Sequence, residues 1–354
     1  MGMMSLNGDL ISQILGHVDG TTLANAGCVS SEFWSIAREE RIWEQVCCSL
    51  WPSIEDTGIK ELISDSLGGF RNFYANCFPL IAYESTQRDS MSMELQNLND
   101  GVPSDFVSIV DVAYKNKAIF NKVVWGILCA HDFEGWFSNC PFRMELIEFS
   151  DVEDDNHAVE DGLPTIIECL GKVKKDDKIW GELMENIRLS WIVVNRRTRK
   201  VANFSSWSPL AGQRHWVSDK DFVMRFGSIL PAHNILPCNF VHCILVMKCR
   251  VSDGDQASLK ISQLSMQLED AMGGQVNGRN SLLILERALG CRKSKNHAQI
   301  LVSYQQYFSE QRKLKEAKMR SEERLDTLCI LSGIVAFNSI CYFVFRESGA
   351  IMGL

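Results

Sequence analysis

The stretch that decides how the chain begins is LNGDLISQILGHVDGTTLANAGCVSSEFWSIAREERIW, Leu6 to Trp43. Leu10, Ile11, Ile14, Leu15 and Val18 recur at helical spacing and cover an arc of roughly 140° at the 3.6-residue period. Asp19-Gly20 stops that helix, and Thr21 or Thr22 is placed to cap the next. Leu23, Ala26 and Val29 follow, Ser30-Ser31 offers a further cap, and Ile42, Trp43, Val46, Cys47 and Leu50 repeat again. Phe33 and Trp34 are adjacent, with Trp43 close behind. A run of about 45 residues is too short to bury such aromatics alone. They need either a partner or the rest of the chain, and Trp34 and Trp43 have the option of packing inward against residues 44–80.

The rest of the composition narrows the classes. The chain has 354 residues, 46% of them apolar and 23% charged, as expected of a folded globular protein of one or two domains. A net charge of -8 argues against nucleic-acid binding. The 13 cysteines are odd in number and scattered, which suits reduced thiols in the cytosol or nucleus. The start has no basic n-region, so no secretory signal is expected, and Leu6 stands where a myristoylation signal wants Ser or Thr.

Beyond residue 50, GGFRNFYANCFPLIAY is apolar, while ESTQRDSMSMELQNLNDGVPSDF reads as a polar linker. From Phe120 the runs KVVWGILCA, FRMELIEF, LSWIVVN, KVANFSSW, HCILVMKCRV and SLKISQLSMQL are strand-like, with alternation that favours antiparallel pairing. SWIVVNRRTRKVANF reads as a hairpin with a basic turn. The acidic stretch Ser150–Gly162 has no apolar anchor and is expected to be a mobile, dispensable loop. NSLLILERAL and the segment from Ala298 to Leu325 are helical, and there is no internal repeat.

Chemistry-bearing motifs are few. GGQVNGRNS, Gly273 to Ser281, has the glycine spacing of a phosphate loop. It has Arg279 and Asn280 where a lysine and a hydroxyl are needed, so a turn into the NSLLILERAL helix is the better reading. Cys238, His242, Cys243 and Cys249 lack paired zinc knuckles, and neighbours in a strand point to opposite faces. Arg196, Arg197, Arg199 and Lys200 form a solvated hairpin tip rather than a phosphate site. No nucleophile and base are singled out. No enzyme activity, metal or cofactor is therefore expected.

In one register, Leu6-Asn7-x-Asp9-Leu10-Ile11-x-x-Ile14-Leu15-x-x-Val18, then Leu23, Val29-Ser30-x-x-Phe33-x-x-Ile36-Ala37 and Trp43, resembles the F-box motif. Asn7, Ser30 and Phe33 replace its usual proline, cysteine and tryptophan. Residues 189–230 are similar, more loosely, to the C-terminal module of the plant F-box group that includes the cytokinin-induced F-box protein. The resemblance implies a helical module docking on Skp1, with Leu6, Leu10, Ile14, Leu15, Val29 and Phe33 near the contact. It implies a substrate-recognition adaptor of an SCF-type (Skp1–cullin–F-box) ubiquitin ligase, partnered by a Skp1-like adaptor, a cullin and an unidentified target. Such a subunit is not an enzyme; it acts by proximity. A second reading is a lectin-like or small-ligand-binding β domain lined by Trp191, Trp207 and Trp216.

The expected fold is α+β: an F-box over 1–50, a helical connector and flexible linker over 51–115, and an antiparallel β-rich substrate-binding domain over 116–295. A charged amphipathic helix, 296–326, then leads into a transmembrane tail anchor, 327–345. Its sequence TLCILSGIVAFNSICYFVF, Thr327 to Phe345, holds 19 uncharged residues. As a helix it spans roughly 28 Å, close to a hydrocarbon core of ~30 Å. Arg312, Lys313, Lys315, Lys318, Arg320 and Arg324 precede it and only Arg346 follows, so the positive-inside rule puts the bulk of the chain on the cytosolic or nuclear side of an endomembrane or nuclear envelope.

Overall fold

The structure, a computed structural model, describes residues 8–82, 102–127, 134–148, 177–214, 221–252 and 258–351. The acidic stretch Ser150–Gly162, together with Leu6 and Trp216, lies outside them. The chain divides into two units, Met1–Tyr304 and Gln305–Leu354.

The first unit opens with six short helices: α1 (Gly8–Leu15), α2 (Gly20–Ala26), α3 (Ser31–Ile36), α4 (Glu40–Leu50), α5 (Thr57–Ser66) and α6 (Phe70–Cys77). Several of their starts are capped by a named side chain. Asp19, not a threonine, caps α2, its carboxylate accepting from the backbone N–H groups of Thr21 and Thr22 at 2.9 and 3.0 Å. Ser30 caps α3 through Phe33 N, and Asp56 caps α5 through Ile59 N. The start of α6 is capped from a distance: Glu40 on α4 accepts from Phe70 N at 2.7 Å. Gly69, at φ +88°, lets the chain pass under that carboxylate, where a Cβ would lie 2.7 Å from it.

Two sheets follow. The first holds β1 (Leu80–Ile81), β2 (Phe106–Tyr114), β3 (Lys117–Trp125), β5 (Ile187–Asn195), β6 (Lys200–Asn203) and β11 (Lys293–Ser294), in the order β11-β1-β6-β5-β2-β3. The second holds β4 (Arg143–Glu148), β7 (Ala211–Arg214), β8 (Asp221–Pro231), β9 (Phe240–Ser252) and β10 (Ser258–Asp270), in the order β4-β10-β9-β8-β7. Among the described residues, pairing is antiparallel except for a single parallel link between Leu80 of β1 and Asn203 of β6. The α+β architecture with antiparallel sheets is thus present. Strand β2 begins at Phe106, inside the stretch that the sequence assigned to the connector.

Alternation along β2 and β5 shows how the layers meet. Phe106, Val110 and Val112 on β2, and Leu189, Trp191 and Val193 on β5, face a core shared with the second sheet. Val107 and Ile109 on β2, and Ile192 and Val194 on β5, join the core of the six helices. With both faces covered, β2 is buried at every position but Ala113. Three further helices complete the set: α7 (Glu134–Asn139), α8 (Asp177–Asn186) and α9 (Gly278–Leu289). Asn277 caps α9 through Asn280 N at 2.9 Å, so GGQVNGRNS is a turn into a helix.

The last helix, α10 (His297–Ile351), runs as one element of 55 residues through both the charged and the apolar expected segments. Within the second unit, Leu328, Ile330, Leu331, Ile334, Val335, Phe337, Ile340 and Tyr342 are all exposed. The span Val302–Tyr342 is long and apolar enough to cross a membrane.

Candidate functional site

The first four helices form a small bundle with an inside and an outside that the sequence pattern does not separate. Ile11 and Leu15 are 4% exposed and enter the core, whereas Leu10 and Ile14, on the adjoining half of the same stripe, are 50% and 57% exposed. The 140° stripe is wider than one contact needs, and the structure divides it. Val29, in the turn before α3, is 75% exposed, and Trp34 on α3 is 51% exposed with the Arg38 guanidinium 4.4 Å above its ring. Phe33 is half-buried against the helical core. Of the six residues expected at a partner contact, Leu10, Ile14 and Val29 are open and Phe33 partly so. Leu15 is inside, because it sits one turn from Ile11 on the inward half of α1. Leu6 lies outside the described residues.

Trp43 turns inward, as one of its two options allowed. Its indole N–H donates to Ala37 O at 2.8 Å and its ring lies 5.2 Å from Tyr74. Gly20, at the start of α2, meets the same Tyr74, whose ring atoms would stand 2.4–2.8 Å from an added Cβ.

The bundle is joined to the first sheet by a buried polar contact. Trp51 is fully buried among Phe73, Tyr74 and Trp207, and its indole N–H donates to Ser190 Oγ on β5 at 3.0 Å. Ser53 donates its backbone N–H at 2.9 Å and its hydroxyl at 2.8 Å to Asp111 Oδ1 on β2. Ser190 and Asp111 are cross-strand partners, so both anchors sit side by side. Burial pushes the Asp111 carboxyl up to about 7, against the opposing pull of the Ser53 bonds. In contrast, the side-chain bond from Thr22 and the N–H groups at the start of α2 hold Asp19 below the usual carboxylate range.

The other sequence candidates do not converge. Trp191 is fully buried between the sheets and donates to Ser108 Oγ at 3.3 Å, while Trp207 belongs to the helix-facing side, so these two line no common site. Cys243 and Cys249 are buried core thiols, and His242, on the opposite face of β9, lies edge-on to Tyr304. No cluster of metal-ligating side chains occurs among the described residues. The basic turn is partly engaged: Arg197 meets Asp105 at 3.4 Å and Glu286 at 3.2 Å, and Arg196 donates to Ser104 O.

No family model matches the chain, and no solved structure does. It is 26% identical over 348 residues to the Arabidopsis thaliana protein named F-box protein At2g27310, covering 96% of this chain and 95% of the relative. It is 26% identical over 360 residues to F-box protein At3g44326 of the same plant, covering 99% and 93%. The F-box protein GID2 of Oryza sativa subsp. japonica is 35% identical over 72 residues, 20% of this chain and 34% of the relative. The match to At3g44326 leaves so little of the chain out that it takes in the apolar part of α10 as well as both sheets. The chain therefore resembles plant F-box proteins over nearly its whole length and not only in its opening helices.

Proposed function

We propose that the chain is a substrate-recognition adaptor of an SCF-type ubiquitin ligase, with α1–α4 holding a Skp1-like subunit and, through it, the cullin. The observation that carries this reading is the exposed apolar set Leu10, Ile14, Val29 and Trp34 on a bundle whose core residues Ile11, Leu15, Leu23, Ile36, Ile42 and Trp43 are buried. Exposed aromatic and aliphatic anchors of this kind are what a protein interface covers. Leu6 and Phe33 complete the contact, and Leu15 supports it from behind by fixing α1. Residues 1–50 are the F-box, the sandwich that follows presents a target protein, and ubiquitin transfer is promoted by proximity, with no catalytic residue in this subunit. The apolar stretch Thr327–Phe345 anchors the adaptor in an endomembrane or the nuclear envelope, with the first unit facing the cytosol or nucleus. The likeness to the cytokinin-induced group makes cytokinin treatment the first condition in which to seek the target.

Two experiments test the reading. In a pull-down with purified Skp1, Leu10→Asp/Ile14→Asp is expected to lose recovery while melting like the wild type, because both side chains are already half in water. Equal recovery of both forms removes the docking face. In carbonate extraction, full-length protein is expected to stay with membranes and a truncation ending at Arg324 to wash off; release of both removes the anchor.

A further inference from the structure

The helix-facing side of the first sheet changes character along its strands. On β2 it runs from Val107 and Ile109 to Asp111 and Ala113; on β5 it runs from Val194 and Ile192 to Ser190 and Arg188. Where the residues are large and apolar, the helices press onto them. Where they are small or polar, a cleft of about 950 Å³ remains between the sheet and α1, α2 and α4. Its size falls in the upper range of small-molecule sites.

The floor and walls differ in chemistry. Asp111, Arg188 and Ser190 line the floor, and Tyr74, Phe78 and Trp207 line one side. Tyr74 and Phe78 are stacked at 4.9 Å, and Phe78 meets Trp207 edge-on at 5.7 Å. Trp207 is held at φ +65°, a conformation a bulky residue rarely adopts, by Ser205 Oγ and by a bridge to Leu189. Two carboxylates border the cleft, and they are not equivalent. Asp19 spends its oxygens on the α2 cap. Asp111 is 5% exposed and takes both Ser53 bonds on Oδ1, while Oδ2 meets no donor among the described residues. A buried carboxylate oxygen left in that state is costly and is answered by a donor. Two residues along on the neighbouring strand, the half-buried Arg188 uses Nη1 on Ile187 O, which leaves most of its five-donor fork.

We propose that this cleft binds a small aromatic zwitterion, its amine donating to Asp111, its anionic group accepting from Arg188, and its ring lying against Tyr74, Phe78 and Trp207. The site is separate from the exposed Skp1-docking face, and its test does not depend on that face. Full-length protein in detergent micelles is titrated with L-tryptophan, tryptamine and indole-3-propionate, read by thermal shift and by calorimetry. L-tryptophan is expected to raise the melting temperature saturably and to bind more tightly than either half-charged probe. Asp111→Asn, which keeps an oxygen for Ser53, is expected to weaken L-tryptophan and tryptamine at least tenfold and to spare indole-3-propionate. Arg188→Gln is expected to do the reverse for the two half-charged probes and also to weaken L-tryptophan. Trp207→Leu weakens all three and serves where Asp111→Asn fails to fold. The proposal is overturned by no saturable response to any probe, by equal binding of L-tryptophan and one half-charged probe, or by affinities unchanged in the variants.

Discussion

Trp51 is where the helical bundle and the sandwich are most directly joined, and replacing it tests whether they are one folding unit. The side chain is fully buried, touches three aromatic rings and carries the bond to Ser190. Trp51→Ala removes a buried indole, leaves a cavity and strips Ser190 of its donor, for a cost of about 4 kcal/mol. At about 2.1 cal/mol/K per residue, a unit the length of Met1–Tyr304 has an unfolding entropy near 0.6 kcal/mol/K, so the melting temperature falls by about 6 °C. Trp51→Phe keeps a ring but loses the hydrogen bond, costing about 1–2 kcal/mol and about 2–3 °C. The assay is thermal unfolding of the truncation ending at Arg324, followed in parallel by far-UV and near-UV circular dichroism. A shared core predicts that both signals move together in one transition. If Trp51→Ala splits the melt, with the near-UV signal of the sandwich unmoved, the helices are an appended module and the reasoning fails.

Three further outcomes follow from the same contacts. Asp111 has a folded value of about 7 against an ordinary 3.8, so between those values the folded chain keeps a proton that the unfolded chain has lost; its contribution is full below about pH 4 and disappears as pH rises through about 7, on the order of 4 kcal/mol at most. His242, pushed by burial from 6.5 down to about 4, has the opposite slope in that window, so the difference in urea midpoint between wild type and Asp111→Asn isolates the carboxyl, and a difference that is flat with pH refutes its burial. Gly20→Ala drives a methyl into the Tyr74 ring and is expected to destabilise by about 1–3 kcal/mol; the penalty should shrink in a Tyr74→Leu background, and an equal penalty there would place the strain elsewhere. Leu10→Asp/Ile14→Asp should leave both melting signals within about 0.5 kcal/mol of wild type, since each position is a surface one; a large loss would show that the outer half of α1 is packed.

Local signals were the readable ones. Apolar periodicity marked α1 to α4, because each helix records its own spacing, and runs rich in Val, Ile, Phe and Trp marked β3, β4, β5, β6, β9 and β10. FVSIVDVAY escaped because it follows a polar stretch that drew it into the linker, whereas LSWIVVN on β5, equally covered on both faces, stood clear of such a stretch. The two-residue strands β1 and β11 exist only through pairing with distant segments and had no signal at all. In the site, the sequence named the apolar stripe of α1 but not its division, which depends on where α3 stands. Ser53 and Asp111 are unremarkable as letters; their meaning comes from a contact between distant parts of the chain. Trp191 and Trp207, read as lining one site, part for the same reason in reverse: they are close in sequence, yet they lie on opposite faces of the first sheet.

The shared core bears on how the proposed adaptor would work. When two binding modules are joined by a flexible tether, the tether sets only how often a bound target meets the ligase's transfer centre. Here the residues after α4 are not a tether. Trp51 and Ser53 follow Leu50 directly, and both are fixed to β5 and β2 by buried hydrogen bonds. Val107, Ile109, Ile192 and Val194 extend the same core into the sheet. A target held by this unit would therefore keep an orientation as well as a distance relative to Skp1. Which of its lysines can be reached then becomes a property of the joint. A ligand in the adjoining cleft would touch both sides of that joint, since Asp111 and Arg188 belong to the sheet while Tyr74 and Phe78 belong to the helical segment. Loosening the joint by Trp51→Ala should accordingly leave Skp1 binding in place while blurring which target lysines are modified.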